Sequence, residues 1–259
     1  MTTIARPRGV LLCALAACLL ATLARPAPAR ADYEIRLPEA EEGEWELEDN
    51  GSASFDRNRA KSGDANATVE IGYGVNSWYH TEIELGYGRN AGPGAPVVYQ
   101  GITWENTLQL TETGEYWANL GFYWEITHAA TPATPDDILF GPLISKDIGR
   151  TTHTLNLLFT QEFGPAQDVH SPDFSYAWQS RWNIFPIASP ALEIFGDVGP
   201  LNHVPGLVGQ QLLAGPTLVG DVSLGSIGNL KYDIGYLAGL TAATPRYTVK
   251  WDLEWELRF

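Results

Sequence analysis

The chain has little cysteine: it contains two, Cys13 and Cys18, and both fall within the first 31 residues. That stretch has the features of an export signal, so the mature protein is predicted to contain no cysteine. This absence excludes structural disulfides, a thiolate nucleophile and metal sites built from cysteine ligands. An exported protein of this composition must be stabilised by other means.

Residues 1–31 are predicted to be a cleavable signal peptide. Arg6 and Arg8 give the segment a positive start, residues 10–23 form an apolar stretch, and Ala29-Arg30-Ala31 supplies the small residues of a signal-peptidase site. We therefore expect the mature chain to begin at Asp32.

A second interpretation of the same segment is a lipoprotein signal. Leu15-Ala16-Ala17-Cys18 resembles a lipoprotein box, which would place a lipid on Cys18. The apolar run continues past this cysteine through Leu19, Leu20 and Leu23, where a lipoprotein normally turns polar. Cleavage after Ala31 is therefore the favoured interpretation.

Basic residues are also scarce. The chain has 16 lysines and arginines against 31 acidic residues, and the signal holds four of the arginines and no acid. The mature chain is left with 12 basic and 31 acidic residues, a net charge of −19. Nucleic acid is thereby excluded as an expected partner, because phosphate binding needs clustered Lys and Arg.

Long apolar runs are missing outside the signal. No later segment approaches the roughly 20 apolar residues that a membrane-spanning helix needs. The mean hydropathy of −0.13 is typical of a soluble protein. A membrane protein built of strands gives similar values, however, because half of each strand faces water.

What the chain has in abundance is strict alternation. From Arg246 to Phe259 every second residue is large and apolar, and the residues between are polar or charged over all fourteen positions. This period of two indicates a β-strand, and its length exceeds the 5–6 residues usual in soluble proteins.

The same pattern, separated by turn signals, recurs along the mature chain. Strands are predicted at 43–55, 66–74, 78–88, 99–111, 115–127, 138–147, 151–163, 174–185, 191–198, 210–220, 230–240 and 246–259. The alternation is weakest at 138–147, 191–198 and 210–220, so ten or fourteen strands remain open alternatives. Residues 32–42 are acidic, contain Pro38 and are predicted to be a short periplasmic segment before a barrel at 43–259.

The apolar face of these strands is predicted to face lipid. All 9 tryptophans lie in the mature part, more than a small barrel's interior holds easily. Several lie near predicted strand ends, as expected for the aromatic girdles of a membrane barrel: Trp45, Trp78, Trp178 and Trp251. Several strands also exceed the roughly 9–11 residues needed to cross a bilayer.

Together these features resemble a Gram-negative outer-membrane β-barrel. The final YTVKWDLEWELRF is similar to the closing strand of that class, which ends in an aromatic residue recognised by the barrel-assembly machinery. The resemblance implies an all-β, closed antiparallel transmembrane barrel of about twelve strands in the outer membrane. It assigns an assembly signal to Tyr247, Trp251, Leu253, Trp255, Leu257 and Phe259.

A looser resemblance concerns function. The stretch DDILFGPLISKDIGRTTHTLNLLFTQEFG is similar to putative outer-membrane transporters associated with aromatic-degradation pathways. It implies a transport-like role for the chain.

The polar face would then line an acidic lumen. The thirteen predicted lumen-lining residues are Glu70, Glu82, Glu84, Glu105, Glu125, Glu162, Arg181, Lys231, Asp233, Lys250, Asp252, Glu254 and Glu256. Glu46 and Glu193 are further acidic residues on the same face. An excess of carboxylates in a narrow wall attracts cations and excludes anions. The alternative is that these side chains pair with one another and fill a closed lumen, as in many small barrels.

Two explanations stay open for the lumen-facing glycines. The residues are Gly72, Gly74, Gly86, Gly88, Gly121, Gly235 and Gly239. They would leave space for a solute, or they would relieve crowding where strands bend to close the barrel. The second explanation is favoured.

No catalytic, cofactor or metal site is predicted. The five histidines are scattered, and His153 has Thr151 and Leu155 as same-face neighbours rather than a serine. A serine from another strand stays open, because outer-membrane phospholipases carry a Ser/His pair on the lipid-facing wall. The acidic loop residues near Asp136 and Asp168 are expected to be solvated.

The predicted function is passive passage of a small solute through the acidic lumen. The alternatives are a structural or surface-interaction barrel with a filled lumen and, third, a lipid-active enzyme. Expected partners are outer-membrane lipids, the barrel-assembly machinery and an unidentified small solute.

Overall fold

Twelve antiparallel strands form a closed barrel in the computed structural model, which describes residues 33–258. The strands are β1 Glu44–Phe55, β2 Ala65–Asn76, β3 Tyr79–Arg89, β4 Val98–Gln109, β5 Asn119–Ala129, β6 Asp136–Ile148, β7 Thr151–Phe163, β8 Asp173–Trp182, β9 Ser189–Pro200, β10 Gln211–Ser223, β11 Asn229–Gly239 and β12 Tyr247–Arg258. Two 3₁₀ turns lie at Leu207–Gly209 and Gly225–Ile227. The predicted fold class and strand number are confirmed.

Closure is made by the pairing of β1 with β12. Their register runs from Glu44 opposite Arg258 to Phe55 opposite Tyr247, with Gly51 opposite Trp251. Every other strand pairs with its neighbours in chain order, so the described sheet has no free edge. No helix among residues 33–258 is long and apolar enough to cross a membrane.

The predicted strand boundaries agree with the structure to within three residues except at the start of β5. The prediction started that strand at residue 115, whereas β5 begins at Asn119. Tyr116 and Trp117 lie in the connection from β4 and are 65% and 75% exposed. The error arose because alternation continues by chance through a turn that the Glu115 N–H closes by donating to the carbonyl of Glu112.

The outer surface of the barrel is apolar. A row of outward side chains runs from strand to strand by register: Leu47, Ile71, Ile83, Trp104 and Ile126. All five are more than a third exposed, although large apolar side chains normally avoid water. The inward neighbours on the same strands are polar and buried, among them Glu70, Glu105 and Thr127. Such an inverted surface fits hydrocarbon as its solvent.

The two ends of the barrel differ in their connections. At the terminal rim, where β1 begins at Glu44 and β12 ends at Arg258, the five connections have two to nine residues. At the opposite end, the loop rim, the six connections have six to ten residues. The connections at the terminal rim are thus mostly shorter than those at the loop rim, with residues 110–118 as the long exception.

Two predicted features lie outside the described residues. The signal peptide at 1–31 is one. Phe259, the last member of the predicted assembly signal, is the other.

The row of outward apolar side chains predicts that a charged residue at its centre strongly destabilises the barrel. Ile83→Arg places a guanidinium at the middle of β3 and should destabilise the barrel by about 2–4 kcal/mol in lipid vesicles. Guanidinium-induced unfolding followed by tryptophan fluorescence measures the effect. Val97→Arg, in the exposed connection before β4, is the control and should cost less than about 0.5 kcal/mol. Equal costs would show that the row does not face lipid.

Candidate functional site

The lumen is occupied by the chain's own N-terminal residues 33–43, here called the plug segment. Tyr33 lies against Leu213 and Leu237, in the loop-rim half of the barrel. Gly43, at the other end, donates its N–H to the carbonyl of Gly74, near the terminal rim (2.8 Å). Ten residue steps of about 3.3 Å cover about 33 Å, enough for an extended chain to cross the hydrocarbon thickness.

Arg36 is the central anchor of the plug segment. Its backbone N–H donates to Oδ1 of Asn156 (2.9 Å), and Nδ2 of Asn156 donates back to the Arg36 carbonyl (2.8 Å). This pairing gives an extended segment in mid-lumen the backbone partners that a strand would provide. Asn156 is fully buried and Arg36 is 6% exposed.

The guanidinium of Arg36 neutralises part of the acidic wall. It lies 2.9 Å from Glu34, 3.6 Å from Glu125 and 4.0 Å from Glu105. It also stacks over the ring of Tyr123, 4.4 Å from the centroid, and the Tyr123 hydroxyl donates to both Glu105 and Glu125. Arg36 of the plug segment and Tyr123 of the wall thus hold two of the predicted lumen acids, Glu105 and Glu125.

Apolar packing fixes the other end of the plug segment. Tyr33 meets Phe195 edge to face with ring centroids 5.4 Å apart, and Ile35 packs on the same cluster. The remaining members of this lumenal cluster are Ala177, Leu213 and Leu237. The loop-rim half of the lumen therefore contains an apolar core, which the alternating pattern did not predict.

Pro38 and Ala40 complete the fit at the terminal-rim side. Ala40 donates its N–H to Oε1 of Gln109 (2.9 Å). Pro38 is fully buried against Gly121, where an added Cβ would lie 2.7 Å from the Cβ of Pro38. Of the two explanations weighed for the lumenal glycines, Gly121 fits neither: it makes room for the plug segment.

The placement of the plug segment refines one prediction. Residues 32–42 were expected to form a short periplasmic segment before the barrel. The structure places residues 33–42 inside the lumen, because Tyr33, Ile35 and Arg36 find their partners on the inner wall. The compartment on either side of the barrel stays a prediction.

A second charged cluster crosses the lumen beside the plug segment. Nζ of Lys250 lies 2.9 Å from Glu193 and 3.1 Å from Asp233. Nε2 of Gln179 donates to the same two carboxylates, and the Thr217 hydroxyl donates to Glu193. Glu193 and Lys250 are 0% and 1% exposed, so this part of the lumen excludes solvent.

An acidic cavity remains between the plug segment and the wall at the terminal-rim end. It has a volume of about 560 Å³ and is lined by twelve carboxylates, His80 and three basic residues, Arg36, Arg181 and Lys231. Lys231 is itself engaged, because it pairs with Glu256 and lies 3.3 Å from Glu254. We call this cavity the vestibule. Its excess of carboxylates concentrates cations.

At the loop rim, two acidic residues interact with the connections between strands. Oε2 of Glu162 accepts the backbone N–H groups of Asp168 and Val169, both at 3.1 Å, and so orders the connection from β7 to β8. Burial raises the pKa of Asp64 in the connection from β1 to β2, although Arg89 and a backbone N–H oppose the rise. Glu162, one of the predicted lumen residues, therefore lies far from the vestibule.

All thirteen lumen-lining candidates face inward, but they do not form one site. Glu105 and Glu125 belong to the Arg36 anchor, while Asp233 and Lys250 belong to the buried cluster. Seven of the thirteen line the vestibule, two of them shared with those clusters: Glu82, Glu105, Arg181, Lys231, Asp233, Asp252 and Glu254. Glu70 accepts from Thr68 within β2 (2.6 Å), and Thr103 on β4 donates to Glu84 on β3 (3.4 Å).

The residues of the predicted assembly signal that lie within the described chain are on the outer face of β12. Trp251 donates its indole N–H to Asp49 (2.7 Å), and Trp255 donates to the Ile227 carbonyl (2.7 Å). Tyr247 stacks on Tyr236. Leu253 is 37% exposed, and Leu257 lies on the same face. Recognition by assembly machinery stays a prediction.

The sequence reasoning missed the plug segment's functional residues. A signal was present, because Tyr33, Ile35 and Leu37 alternate with Glu34 and Arg36 as in a strand. The run is too short to suggest a membrane strand, and its acidic continuation suggested a solvated lead-in.

The outer wall carries one serine–histidine contact. Nδ1 of His153 lies 3.0 Å from Oγ of Ser180, and Nε2 lies 3.0 Å from Oγ1 of Thr151. The serine comes from the neighbouring strand, the arrangement left open by the sequence. Ser180 is 4% exposed, and His153 stacks on Trp178 with ring centroids 6.3 Å apart. The hydroxyl is therefore covered rather than presented to a substrate.

Comparisons with known proteins give a likeness of fold only. No protein-family model matches the chain, and no curated protein matches it. Among solved structures it is similar to the translocator domain of autotransporter NalP from Neisseria meningitidis, at 13% identity and a TM-score of 0.46. The match covers 96% of this chain and 95% of that chain. At that similarity it carries no argument about function.

The plug segment should loosen when its central anchor is removed. Asn156→Ala deletes both bonds to Arg36 and leaves two buried backbone groups unpaired, at about 1–3 kcal/mol each. Amide hydrogen exchange of residues 33–42, followed by mass spectrometry in detergent micelles, should accelerate while the strands stay protected. Asn58→Ala, in the exposed connection after β1, is the control. Unchanged exchange in Asn156→Ala would contradict the assigned anchor.

Proposed function

We propose that the protein is an outer-membrane barrel that acts as a plugged, cation-preferring channel. The single observation that carries the proposal is the plug segment, which crosses the lumen and leaves the acidic vestibule at the terminal-rim end. In this proposal small cationic solutes enter the vestibule and pass only when the plug segment moves aside. The apolar outer row supports the membrane location.

The sign of the selectivity follows from the lining charges. Twelve carboxylates against three basic residues around a cavity of about 560 Å³ create a negative potential between low-dielectric walls. Removing the plug segment removes Arg36 from the lining together with Glu34, Glu39 and Glu41, which leaves nine carboxylates against two basic residues. The open state is therefore expected to remain cation-selective.

The backbone of the plug segment is held by few hydrogen bonds, which favours a displaceable element. Its backbone is fixed by Asn156, Gln109 and Gly74 rather than by a continuous strand ladder. Each of these bonds contributes about 0.5–1.5 kcal/mol, far less than the ladder of any barrel strand. The plug segment is thus the part of the interior that can leave while the barrel persists.

Planar-bilayer recordings test the proposal directly. Wild-type protein should conduct little, because its lumen is filled, while a variant lacking residues 33–42 should conduct with preference for K⁺ over Cl⁻. Asn156→Ala in the full-length chain should give intermittent openings. Silence of both variants would favour a structural barrel with a permanently filled lumen. Conductance of the wild type equal to that of the deletion would show that the plug segment does not obstruct the path.

A charge reversal supplies the selectivity control. In the variant lacking residues 33–42, Glu105→Lys with Glu125→Lys should shift the reversal potential toward anions. Glu162→Lys, at the loop rim, should shift it less, because Glu162 serves a connection. If the Glu105/Glu125 variant and the Glu162 variant shift the reversal potential equally, the assigned ion path is wrong.

We infer that the chain is not a lipid hydrolase, because Ser180 is covered and His153 is held between Ser180 and Thr151. Purified protein in mixed micelles should release no fatty acid from phosphatidylethanolamine, with or without Ca²⁺. Release that disappears in His153→Ala, but persists in His203→Ala as the matched control, would overturn this inference.

A further inference from the structure

Four groups of three acidic or imidazole side chains converge within the described part of the lumen, and one of them includes a histidine. This group consists of Glu46 on β1 and His80 and Glu82 on β3. One ligand atom from each residue lies within 4.8 Å of the other two. All three residues line the vestibule, so a solute in the cavity has access to them.

His80 provides a second, independent observation. Its side chain is only 9% exposed, yet Nε2 makes no hydrogen bond within the described residues. Oε2 of Glu46 lies 3.3 Å from Nε2 without forming a hydrogen bond, and Oε2 of Glu82 lies 3.8 Å from Nδ1. Oε1 of Glu82 is likewise buried without a hydrogen bond. Buried polar atoms are normally satisfied, so these two indicate a missing partner between them.

The spacing of the ligand atoms fits a metal ion. Two ligand atoms of a tetrahedral zinc ion, each about 2.0–2.1 Å from the metal, lie about 3.3 Å apart. That is the separation of Nε2 of His80 from Oε2 of Glu46. When both carboxylates are ionised and the imidazole is neutral, the three ligands carry a charge of −2, which a divalent cation balances.

Gly72 keeps the space open. It lies on β2 between the two ligand-bearing strands, opposite Glu46 on one side and Glu82 on the other. A Cβ at this position would lie 2.8 Å from both Nε2 of His80 and Oε1 of Glu82. Any larger residue would fill the point at which the ligands converge.

We propose that Glu46, His80 and Glu82 form a binding site for a divalent transition-metal ion in the vestibule. Imidazole selects zinc, copper, nickel or iron over calcium and magnesium, which prefer oxygen ligands alone. The vestibule supplies the entry path and leaves a coordination position for water or a solute. The site goes beyond the proposed channel, because its ligands are on the wall whether or not the plug segment moves.

Zinc titration of the metal-free, full-length protein in detergent micelles tests the site. Calorimetry should show one strong zinc site, with Ca²⁺ unable to displace the metal at equal concentration. His80→Ala and Glu82→Gln should each weaken zinc binding about tenfold or more. Gly72→Ala should weaken it too, although it removes no ligand. The matched controls His153→Ala and Glu162→Gln should keep wild-type affinity.

X-ray absorption at the zinc edge provides a readout that general attraction to carboxylates cannot mimic. The wild-type spectrum should contain imidazole scattering that is lost in His80→Ala. The His80→Ala barrel should resist unfolding in detergent as the wild type does, which shows that the variant is folded. Absence of a strong zinc site in the wild type would overturn the proposal. So would binding to His80→Ala with unchanged affinity and spectrum. Because no conductance is measured, failure here would leave the proposed channel standing.

Discussion

Closure of the hydrogen-bonded ring between β1 and β12 is the constraint on which the rest of this molecule depends. In hydrocarbon no water is present to satisfy an unpaired N–H or carbonyl, so a sheet must have no edge. The ring achieves this by pairing Glu44 with Arg258 and Phe55 with Tyr247. Once the ring is closed, one face of every strand belongs to the lipid and the other to an interior of fixed width.

The width of the interior leaves space that the plug segment fills. Eight strands enclose an interior that side chains can just fill, whereas twelve enclose more. Wall side chains meet across part of the lumen, where Lys250 on β12 reaches Glu193 on β9. Elsewhere Tyr33, Ile35 and Arg36 provide the missing volume, with apolar groups toward Phe195 and a guanidinium toward Glu125. The plug segment is therefore matched to the chemistry of the wall region that it crosses.

The barrel could be predicted from the sequence because its signal is local and periodic. β12 alternates without exception, since its outer residues lie on the apolar outer surface and its inner residues face the polar lumen. The three least regular strands, β6, β9 and β10, carry Leu143, Phe195 and Leu213 on the inner face, where they form lumenal clusters. An apolar inner face removes the contrast on which period-two reasoning depends.

The interior could not be predicted to the same depth, because its contacts join residues far apart in the chain. Nothing near Arg36 indicates that Asn156 is its partner, 120 positions away. Likewise His80 and Glu82 share a face by simple spacing, but Glu46 joins them only through the registers of β1 with β2 and β2 with β3.

The charge of the interior follows from the same long-range geometry. A buried carboxylate is tolerated when a cation or hydrogen-bond donors compensate for the lost water. Lys250 does this for Glu193 and Asp233, and Arg36 does it for Glu105 and Glu125. Next to Glu46 and Glu82 the described wall brings a histidine and a glycine, while Lys231 pairs with Glu254 and Glu256. The protein's own cations thus neutralise the centre of the lumen and part of the vestibule wall, where carboxylates still outnumber basic residues. That distribution makes an acidic interior compatible with both a filled lumen and a cavity open to positively charged solutes.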